Sequence, residues 1–395
     1  MNVNDSPRQR ELRAEFRQWQ AGIPDRFKNL PLGIPGRTEQ TFEELRPLLA
    51  ALEEKGWLYP AWPREHGGAG FSFEEMIVFT EEWVGAGLPD IRTGGLDYLS
   101  PILIRYGTDA QKARFLGPTL RREIIWAQGY SEPNAGSDLA SLQTRADRVE
   151  GGFVVNGQKV WTSSAHLAHW LYVLVRTTQG TRRKQEGISL LLFEKDAPGI
   201  TIRPITTIDG LTHFNEMFFE NVFVPEDQVL GELDQGWTVA KAILGHERFS
   251  PPALNPVVQG RAMAQIRADA RALALGGGVL WDDAGLRRDV AALEMEVDAN
   301  RYTRYRAMSR IAGGDTPGPE TYIFKYWGTE LMQRILERHH GLLAQEGLVW
   351  DAQPFGRERF DHARRAATVR SSTIAGGTSE VQRNVVAKRV LGLPD

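Results

Sequence analysis

The hydrophobic period of this chain changes twice along its length, and that constrains the fold more than any other feature. Up to about residue 125, apolar residues recur at helical spacing. Between about 126 and 230 they fall into short runs bounded by turn residues. From Gly236-Trp237 the helical spacing returns. A chain of 395 residues is too long to close around one core. The expectation is an α+β protein in three parts: a helical domain over 1–125, a β domain over 126–232 and a second helical domain over 233–395.

Local signals fill in this plan. Thr41-Phe42-Glu43-Glu44 has the pattern of a capping box, followed by Leu45, Leu48, Leu49 and Leu52 on one helical face before Gly56. Ser72 with Glu75, and Thr108 with Gln111, read as two more helix starts. In the middle stretch, Phe153-Val154-Val155, Asn156-Gly157 and Lys159-Val160-Trp161 read as a hairpin, because Asn-Gly supplies the positive φ angles of a tight turn. Further strands are expected over His169 to Arg176, Gly187 to Glu194, Ile200 to Pro204 and Glu216 to Val224, with Arg182-Arg183-Lys184 as a solvated loop tip. Helices are expected over Asp289 to Ala312, Glu320 to His340 and Ala363 to Leu391.

Composition narrows the function classes. Lys and Arg number 47 against 50 Asp and Glu, giving a net charge of −3 without a basic block, so no nucleic-acid or anionic-membrane partner is expected. With no cysteine there is no disulfide, thiolate nucleophile or cysteine metal site. No apolar run is long enough to span a bilayer, and the charged start Met1 to Arg17 is not a secretory signal, so a soluble cytoplasmic protein is expected. Of the 8 histidines, the adjacent His339 and His340 diverge on a helix and lack a second His at ligand spacing; they read as surface or packing residues, as does His66.

Four segments then point in one direction. Tyr130-Ser131-Glu132-Pro133-Asn134-Ala135-Gly136-Ser137-Asp138 resembles the signature loop of the acyl-CoA dehydrogenase family. Asn156-Gly157-Gln158-Lys159-Val160-Trp161-Thr162-Ser163 follows at that family's spacing. The stretch from Gly236-Trp237 to Gly245-His246-Glu247-Arg248 is a third match, and Gly376-Gly377-Thr378-Ser379-Glu380-Val381-Gln382-Arg383 a fourth. One such motif is weak; four in order across nearly the whole chain are specific.

The resemblance implies an FAD enzyme that takes hydrogen from the α and β carbons of an acyl-CoA thioester and yields a trans-2-enoyl-CoA. It implies an electron-transfer flavoprotein as acceptor and a place in lipid metabolism and fatty acid β-oxidation. By that resemblance Trp161 walls the flavin ring, the Ser163 hydroxyl meets its N5, and Ser131 meets its pyrimidine edge with Gln128 and Tyr130 nearby. Ser137 falls where relatives contact flavin or the pantetheine arm, and Thr378 and Glu380 where they contact the cofactor. The residues themselves leave alternatives open: Trp161 as an ordinary core residue of the hairpin, Ser131-Glu132-Pro133 as a capping turn.

Removal of an α-proton needs a positioned carboxylate in a dry site. Many relatives carry a glutamate where this chain has Gly376, whose backbone N–H remains available to a thioester oxygen. Others take the base from the helix bearing Glu247-Arg248, so the resemblance assigns the base to Glu247 and an orienting or coenzyme A role to Arg248. The alternative is a Glu247 that only makes a surface ion pair. No metal ligand set is expected.

Two parts of the family pattern are missing. The Arg-x-x-Phe-Gly motif that holds the far half of a neighbour's FAD does not occur in the region Arg267 to Gly278, and the Gly-Gly-x-Gly turn is reduced near His340-Gly341. Similar losses mark base-carrying subunits of bacterial heteromeric acyl-CoA dehydrogenases. The expected assembly is therefore a homo- or hetero-oligomer (dimer or tetramer), the hetero case formed with a second acyl-CoA dehydrogenase-like subunit, unless Arg261, Arg267 or Arg271 replaces the motif. A half-site or non-catalytic subunit and an acyl-CoA oxidase are the competing readings. Gly94-Gly95-Leu96-Asp97-Tyr98 lies where relatives line the acyl pocket; its glycines admit a bulky acyl group or serve packing.

Overall fold

The computed structural model describes residues 5–28, 39–89, 91, 93–247, 256–312, 321–348, 350 and 362–394. Of these, the side chains of 39–43, 73, 245–247, 308–312 and 345–346 are outside the description. In chain order the elements begin with helices α1 (Pro7–Ala21), α2 (Glu39–Glu53), α3 (Phe73–Gly85), α4 (Ser100–Tyr106) and α5 (Asp109–Leu120). Seven strands follow: β1 (Trp126–Gly129), β2 (Arg145–Val149), β3 (Gly152–Ser163), β4 (Trp170–Arg176), β5 (Ile188–Glu194), β6 (Ile200–Ile205) and β7 (Phe214–Pro225). Then come α6 (Gly236–Glu247), α7 (Pro256–Ala272), the two-residue strands β8 (Ala274–Leu275) and β9 (Gly278–Val279), and α8 (Ala284–Ala312). The chain closes with α9 (Tyr322–Leu342), α10 (Ala344–Gly347), α11 (His362–Thr368) and α12 (Ser379–Arg389). The protein is α+β, as the change of period implies.

By mutual contact the chain divides into two units. The sheet unit takes residues 35–71 and 91–247; the helical unit takes 1–34, 72–90 and 248–395.

In the sheet unit, β3 is the long central strand, antiparallel to β2 on one side and to β7 on the other, with β6 beyond β7. Strand β4 runs parallel to β1 and antiparallel to β5, and meets β2 at the single pair Arg145–Arg176. Inward positions from β3 (Phe153, Val155), β4 (Leu171, Val173, Val175), β5 (Leu191, Phe193) and β7 (Met217, Phe219, Val222, Val224) form one core. Each such side chain contributes roughly 1.5–3 kcal/mol relative to exposure. Residues Trp170 to Val175 of β4 are buried without alternation, because the other face is covered too. There Trp126 and Trp170 meet Phe115 of α5 edge-on, at 5.1 and 4.8 Å between ring centroids.

The hairpin expected at Asn156-Gly157 is not formed. Both residues lie inside the continuous strand β3, and the chain reverses before it, at Glu150-Gly151. Asn156-Gly157 instead makes a bulge, with the register against β7 slipping between Val155 and Gly157. The Asn156 amide oxygen accepts the Asn221 N–H at 2.9 Å, which closes the bulge with a side chain. Strands β1 and β2 are additions to the expected set.

In the helical unit, α1 and α3 share an aromatic seam. Phe16 meets Phe79 edge-on at 5.4 Å, and Trp19 stacks on Trp83 at 6.3 Å. Arg13 crosses the border of that seam to Asp5, Glu81 and Glu82. Helix α7 presents Val258, Ala262, Met263, Ile266 and Ala270 at helical spacing to Leu331, Ile335 and Leu336 of α9 and Val290 and Val297 of α8.

Ser72–Glu75 and Thr108–Gln111 are reciprocal capping boxes at the starts of α3 and α5, as read from sequence. Thr41 is not a cap: α2 starts at Glu39, two residues before it. The stretch Ala363 to Leu391 is two helices, because left-handed Gly376 and Gly377 interrupt it. Glu320, the expected start of the helix running to His340, lies outside the described residues, as do 313–319 before it. Among the described residues no helix is long and apolar enough to cross a membrane.

Candidate functional site

The site grows from the end of β1. Gly129 has no room for a side chain, since a Cβ there would stand 2.9 Å from Val173. After it the chain turns: Glu132 and Ala135 exchange backbone hydrogen bonds of 3.1 and 3.0 Å. Three consecutive residues of this loop are fixed to β3. The Tyr130 carbonyl accepts the Lys159 Nζ at 3.0 Å, the Ser131 carbonyl accepts the Val160 N–H at 2.9 Å, and the Glu132 carboxylate accepts Lys159 Nζ at 2.8 Å. The Glu132 carboxylate also accepts the backbone N–H groups of Gln143 (2.6 Å) and Thr144 (2.9 Å). Gln128 is half-buried on β1, and the buried Tyr130 ring packs edge-on against Tyr172 at 6.1 Å.

Strand β3 then breaks register a second time, between Lys159 and Thr162. Trp161 sits at φ 61°, a left-handed conformation that costs a bulky residue of order 1–3 kcal/mol. The result is an aromatic ring 56% exposed, held edge-on by Phe214 at 5.9 Å, between the buried Lys159 and the buried Thr162. Trp161 is thus not an ordinary core residue. Ser163, two residues on, is exposed as well, with the buried Thr162 between them. Next to it, the Ser164 N–H donates to the His213 carbonyl at 2.6 Å, and the His213 ring lies 4.0 Å from that of Phe214. Burial pushes the His213 imidazole below its usual pKa.

Gln128, Tyr130, Ser131, Trp161 and Ser163 therefore stand on two adjoining segments of one unit, joined by the bonds from Lys159 and Val160. A flat ligand laid on Trp161 would cover the exposed ring and meet the Ser163 and Ser131 side of these segments, a donor set that suits a flavin. Ser137 follows the turn and is exposed. Its neighbour Asp138 pairs with Lys184 (2.7 and 2.5 Å), so the expected solvated tip holds a salt bridge to this loop. A cleft of about 550 Å³ opens along β6, lined by His166, Lys195, Ile202 and Asn215 among others, and none of the matched residues lines it.

Glu247 is the last residue of α6, one helical turn beyond the buried Ile243; Arg248 lies outside the described residues. Helix α6 is held on the sheet by close approach: a Cβ at Gly236 would stand 2.5 Å from the Ser189 backbone. The same logic settles part of the acyl-pocket reading. A Cβ at Gly95 would meet Trp126 at 2.7 Å, so this glycine serves packing within a single π turn, Gly95–Leu99.

In the helical unit, Gly376 (φ 64°) and Gly377 (φ 93°) lead into α12, and the Thr378 hydroxyl caps it by accepting the Val381 N–H at 3.2 Å. Glu380 is exposed in the first turn, its carboxyl held below the usual range by its own backbone N–H and the Thr378 hydroxyl. Where the dinucleotide motif is missing, Gly276 and Gly277 form the tip of the β8–β9 hairpin. Arg267 is bound to Glu294 at 2.5 Å, Arg271 lies over the Trp281 ring at 5.1 Å, and Arg261 donates to the Val84 carbonyl at 3.4 Å. The reduced glycine turn is absorbed into α9, which runs through Gly341.

Sequence reading missed one cluster in this unit. Buried His339 and His362 lie 4.2 Å apart between ring centroids, and His339 Nε2 meets Asp269 at 2.7 Å. The three ligand atoms lie within 4.8 Å of one another. A separation of 2.7 Å is a hydrogen bond, shorter than the roughly 3 Å or more between two ligands on one tetrahedral ion. Burial pushes the Asp269 carboxyl up, but hydrogen bonds from His339 and Gln265 outweigh it and leave the pKa below its usual value. Its stabilisation is therefore present above the unfolded pKa and lost as pH falls through the lower folded value. Asp269→Asn is expected to cost about 1–2 kcal/mol at pH 7. In urea unfolding, the gap to the unaltered protein narrows below about pH 4; a gap that widens there rejects the pairing.

The sequence matches the acyl-CoA dehydrogenase N-terminal domain over residues 6–123, the middle domain over 127–222 and the C-terminal domain over 234–391. It is 38% identical over 393 residues to acyl-CoA dehydrogenase IpdE1 of Mycobacterium tuberculosis, covering 97% of each chain. It is 33% identical to acyl-CoA dehydrogenase FadE29 of the same organism, over 100% of this chain and 99% of the other. Among solved structures, it resembles the Tcur3481-Tcur3483 steroid ACAD, with TM-score 0.85, 31% identity and 100% of both chains covered. It also resembles the ChsE4-ChsE5 complex of Mycobacterium tuberculosis, with TM-score 0.84, 29% identity and 100% of both chains covered.

Proposed function

The chain belongs to the acyl-CoA dehydrogenase family of oxidoreductases acting on CH–CH bonds, and from that premise we propose that it binds FAD and uses Glu247 as the base that removes the α-proton of an acyl-CoA. The observation that carries the cofactor reading is Trp161, an exposed ring in a left-handed backbone beside Ser163 and the anchored Ser131 loop. A backbone outlier that leaves a large ring uncovered costs the free chain stability and is explained by a ligand that covers it. Bound flavin supplies the hydride acceptor for the β-carbon.

The residues of the chain do the rest. Trp161 walls the ring and keeps water from it, with Ser163 and Ser131 as hydroxyl donors and Gln128 and Tyr130 offering backbone groups. Ser137, Gly376, Thr378 and Glu380 complete the family's set for cofactor and thioester, with Arg248 toward the coenzyme A arm. Glu247 accepts the α-proton, the product is a trans-2-enoyl-CoA, and an electron-transfer flavoprotein takes the electrons. A division into domains at 1–125, 126–232 and 233–395 is part of this reading, and the matched family regions at 6–123, 127–222 and 234–391 support it.

The assembly we infer is a heteromer in which a second acyl-CoA dehydrogenase-like subunit completes the FAD site. In support, the Arg-x-x-Phe-Gly motif is absent, and Arg261, Arg267 and Arg271 are each engaged within their own unit. The ChsE4-ChsE5 structure is a complex of two differently named chains. The test is the visible absorption spectrum of the chain expressed alone and with a candidate second subunit, with released flavin counted per chain. Flavin well below one per chain alone, rising to stoichiometric on co-expression, is the expected result. One FAD per chain alone overturns the heteromer, and no flavin in either preparation overturns the cofactor reading.

A further inference from the structure

We propose that Lys159 and Glu132 act as positioning residues, a buried clamp that fixes Ser131 and Trp161 and thereby sets how tightly the flavin is held and at what reduction potential. The inference rests on the flavin reading above.

The clamp is built from both sides of Ser131. Tyr130 before it is held through its carbonyl, and Glu132 after it through its carboxylate, and one ammonium group holds both. Ser131 itself is tied by its carbonyl to Val160, the residue between Lys159 and Trp161. The backbone of Ser131 has little freedom left, and its hydroxyl inherits that order. On the other strand segment, Lys159 is wholly buried while Trp161, two residues on, is turned outward by the bulge. The same ammonium therefore anchors the loop and the start of the bulge that presents the ring.

A purely structural role is a poor explanation of this pair. Lys159 is 0% exposed and Glu132 8%, so both charges have been taken out of water. The attraction between such a pair is largely offset by desolvation, and well-packed apolar residues of similar volume serve a core as well or better. What an apolar pair does not provide is direction. The Glu132 carboxylate binds three donors on two different segments: Lys159 on β3, and the adjacent N–H groups of Gln143 and Thr144 leading into β2. Both groups are charged near neutral pH. Burial pushes the Lys159 ammonium down to about 8 against the opposing Glu132 charge. The Glu132 carboxyl, raised by burial, is brought below its usual value by Lys159 and its hydrogen bonds.

The test uses Lys159→Met, with Lys159→Met/Glu132→Gln as a second variant that leaves no lone buried charge should the first fold poorly. Each is prepared with whichever subunit completes its flavin content. FAD is removed, then titrated back, and the reduction potential of the bound flavin is measured; amide exchange is followed over residues 130–135. A charge-assisted hydrogen bond of the usual strength corresponds to a loss of about 10–100-fold in FAD affinity. We expect that loss, a shifted potential and faster exchange over 130–135, with native circular dichroism. We also expect Ser131→Ala to weaken FAD binding less in the Lys159→Met background than in the unaltered protein, because the two act through one position. Faster exchange with unchanged affinity and potential overturns the proposal and leaves the pair a structural one. Unchanged exchange overturns it at the clamp itself. If Ser131→Ala and Trp161→Ala leave FAD binding of the unaltered protein untouched, the flavin assignment fails instead, and the positioning role falls with it.

Discussion

Glu247→Gln is expected to lower turnover of an acyl-CoA substrate by about 10²–10⁴-fold, the usual worth of a positioned general base, if Glu247 is that base as proposed. Glutamine keeps the size and polarity of the side chain and removes only its capacity to take a proton, so substrate binding should be nearly unchanged. The α-proton of a thioester is weakly acidic, and the carboxylate alternative present in many relatives is here Gly376. No second carboxylate is assigned that would rescue the reaction. The loss should therefore appear in kcat with little change in KM, and in rapid mixing as slow flavin bleaching by bound acyl-CoA. Turnover by Glu247→Gln within threefold of the unaltered enzyme would return Glu247 to the competing reading of a helix-end ion pair. A complex inactive even with Glu247 in place would favour a non-catalytic subunit.

The second large effect is on stability. Gly157→Ala is expected to cost about 3 kcal/mol or more, because no small movement accommodates it. A Cβ there would stand 2.7 Å from the Thr144 Cα and 2.6 Å from the Thr144 Oγ1, and the φ of 150° is one that alanine avoids. To relieve the contact, the chain entering β2 must move off β3, and Thr144 N–H is one of the groups that Glu132 holds. Thermal unfolding should shift down by roughly 6–12 °C for a unit of this size. Gly136→Ala is the control: nothing lies within 4 Å of its added Cβ, and its φ is not left-handed. It should leave the midpoint within about 2 °C. Equal behaviour of the two variants would disprove the packing argument at Gly157.

That same glycine marks where the sequence was legible and where it was not. Helix starts set by short-range chemistry were readable, since Ser72 with Glu75 and Thr108 with Gln111 need no partner beyond three residues. The α+β class was readable from the change of period, and the family from four ordered motifs. Asn156-Gly157 misled because the dipeptide fits a tight turn and a bulge equally well, and the choice is made by Asn221 and Thr144, distant in sequence. The error had a consequence. Read as one strand, β3 places Lys159 on the inward parity of Phe153 and Val155, a buried lysine that demands a partner. Read as a hairpin, it hides that demand, and Glu132 passes as one more letter of a motif. The left-handed turn at Trp161 gave no local signal at all, since nothing in its neighbours calls for one. His339 and Asp269 are brought together by the packing of α7 on α9, which no spacing rule reports.

The helical unit is made in pieces: residues 1–34 and 72–90 precede the end of the sheet unit at residue 247, and residues 248–395 follow it. Its aromatic seam, Phe16, Trp19, Phe79 and Trp83, is synthesised early, and α7, α8 and α9, which supply the rest of that unit, follow after residue 247. At ribosomal rates of about 5–20 residues per second, the early helices wait on the order of 10–50 s until α7, α8 and α9 are complete. Over that interval the intervening sheet unit has all its residues, while two amphipathic helices with uncovered tryptophans remain tethered to either side of residues 35–71. The seam of Trp19 and Trp83 is therefore the part of this unit expected to be longest without its partners while the chain is made.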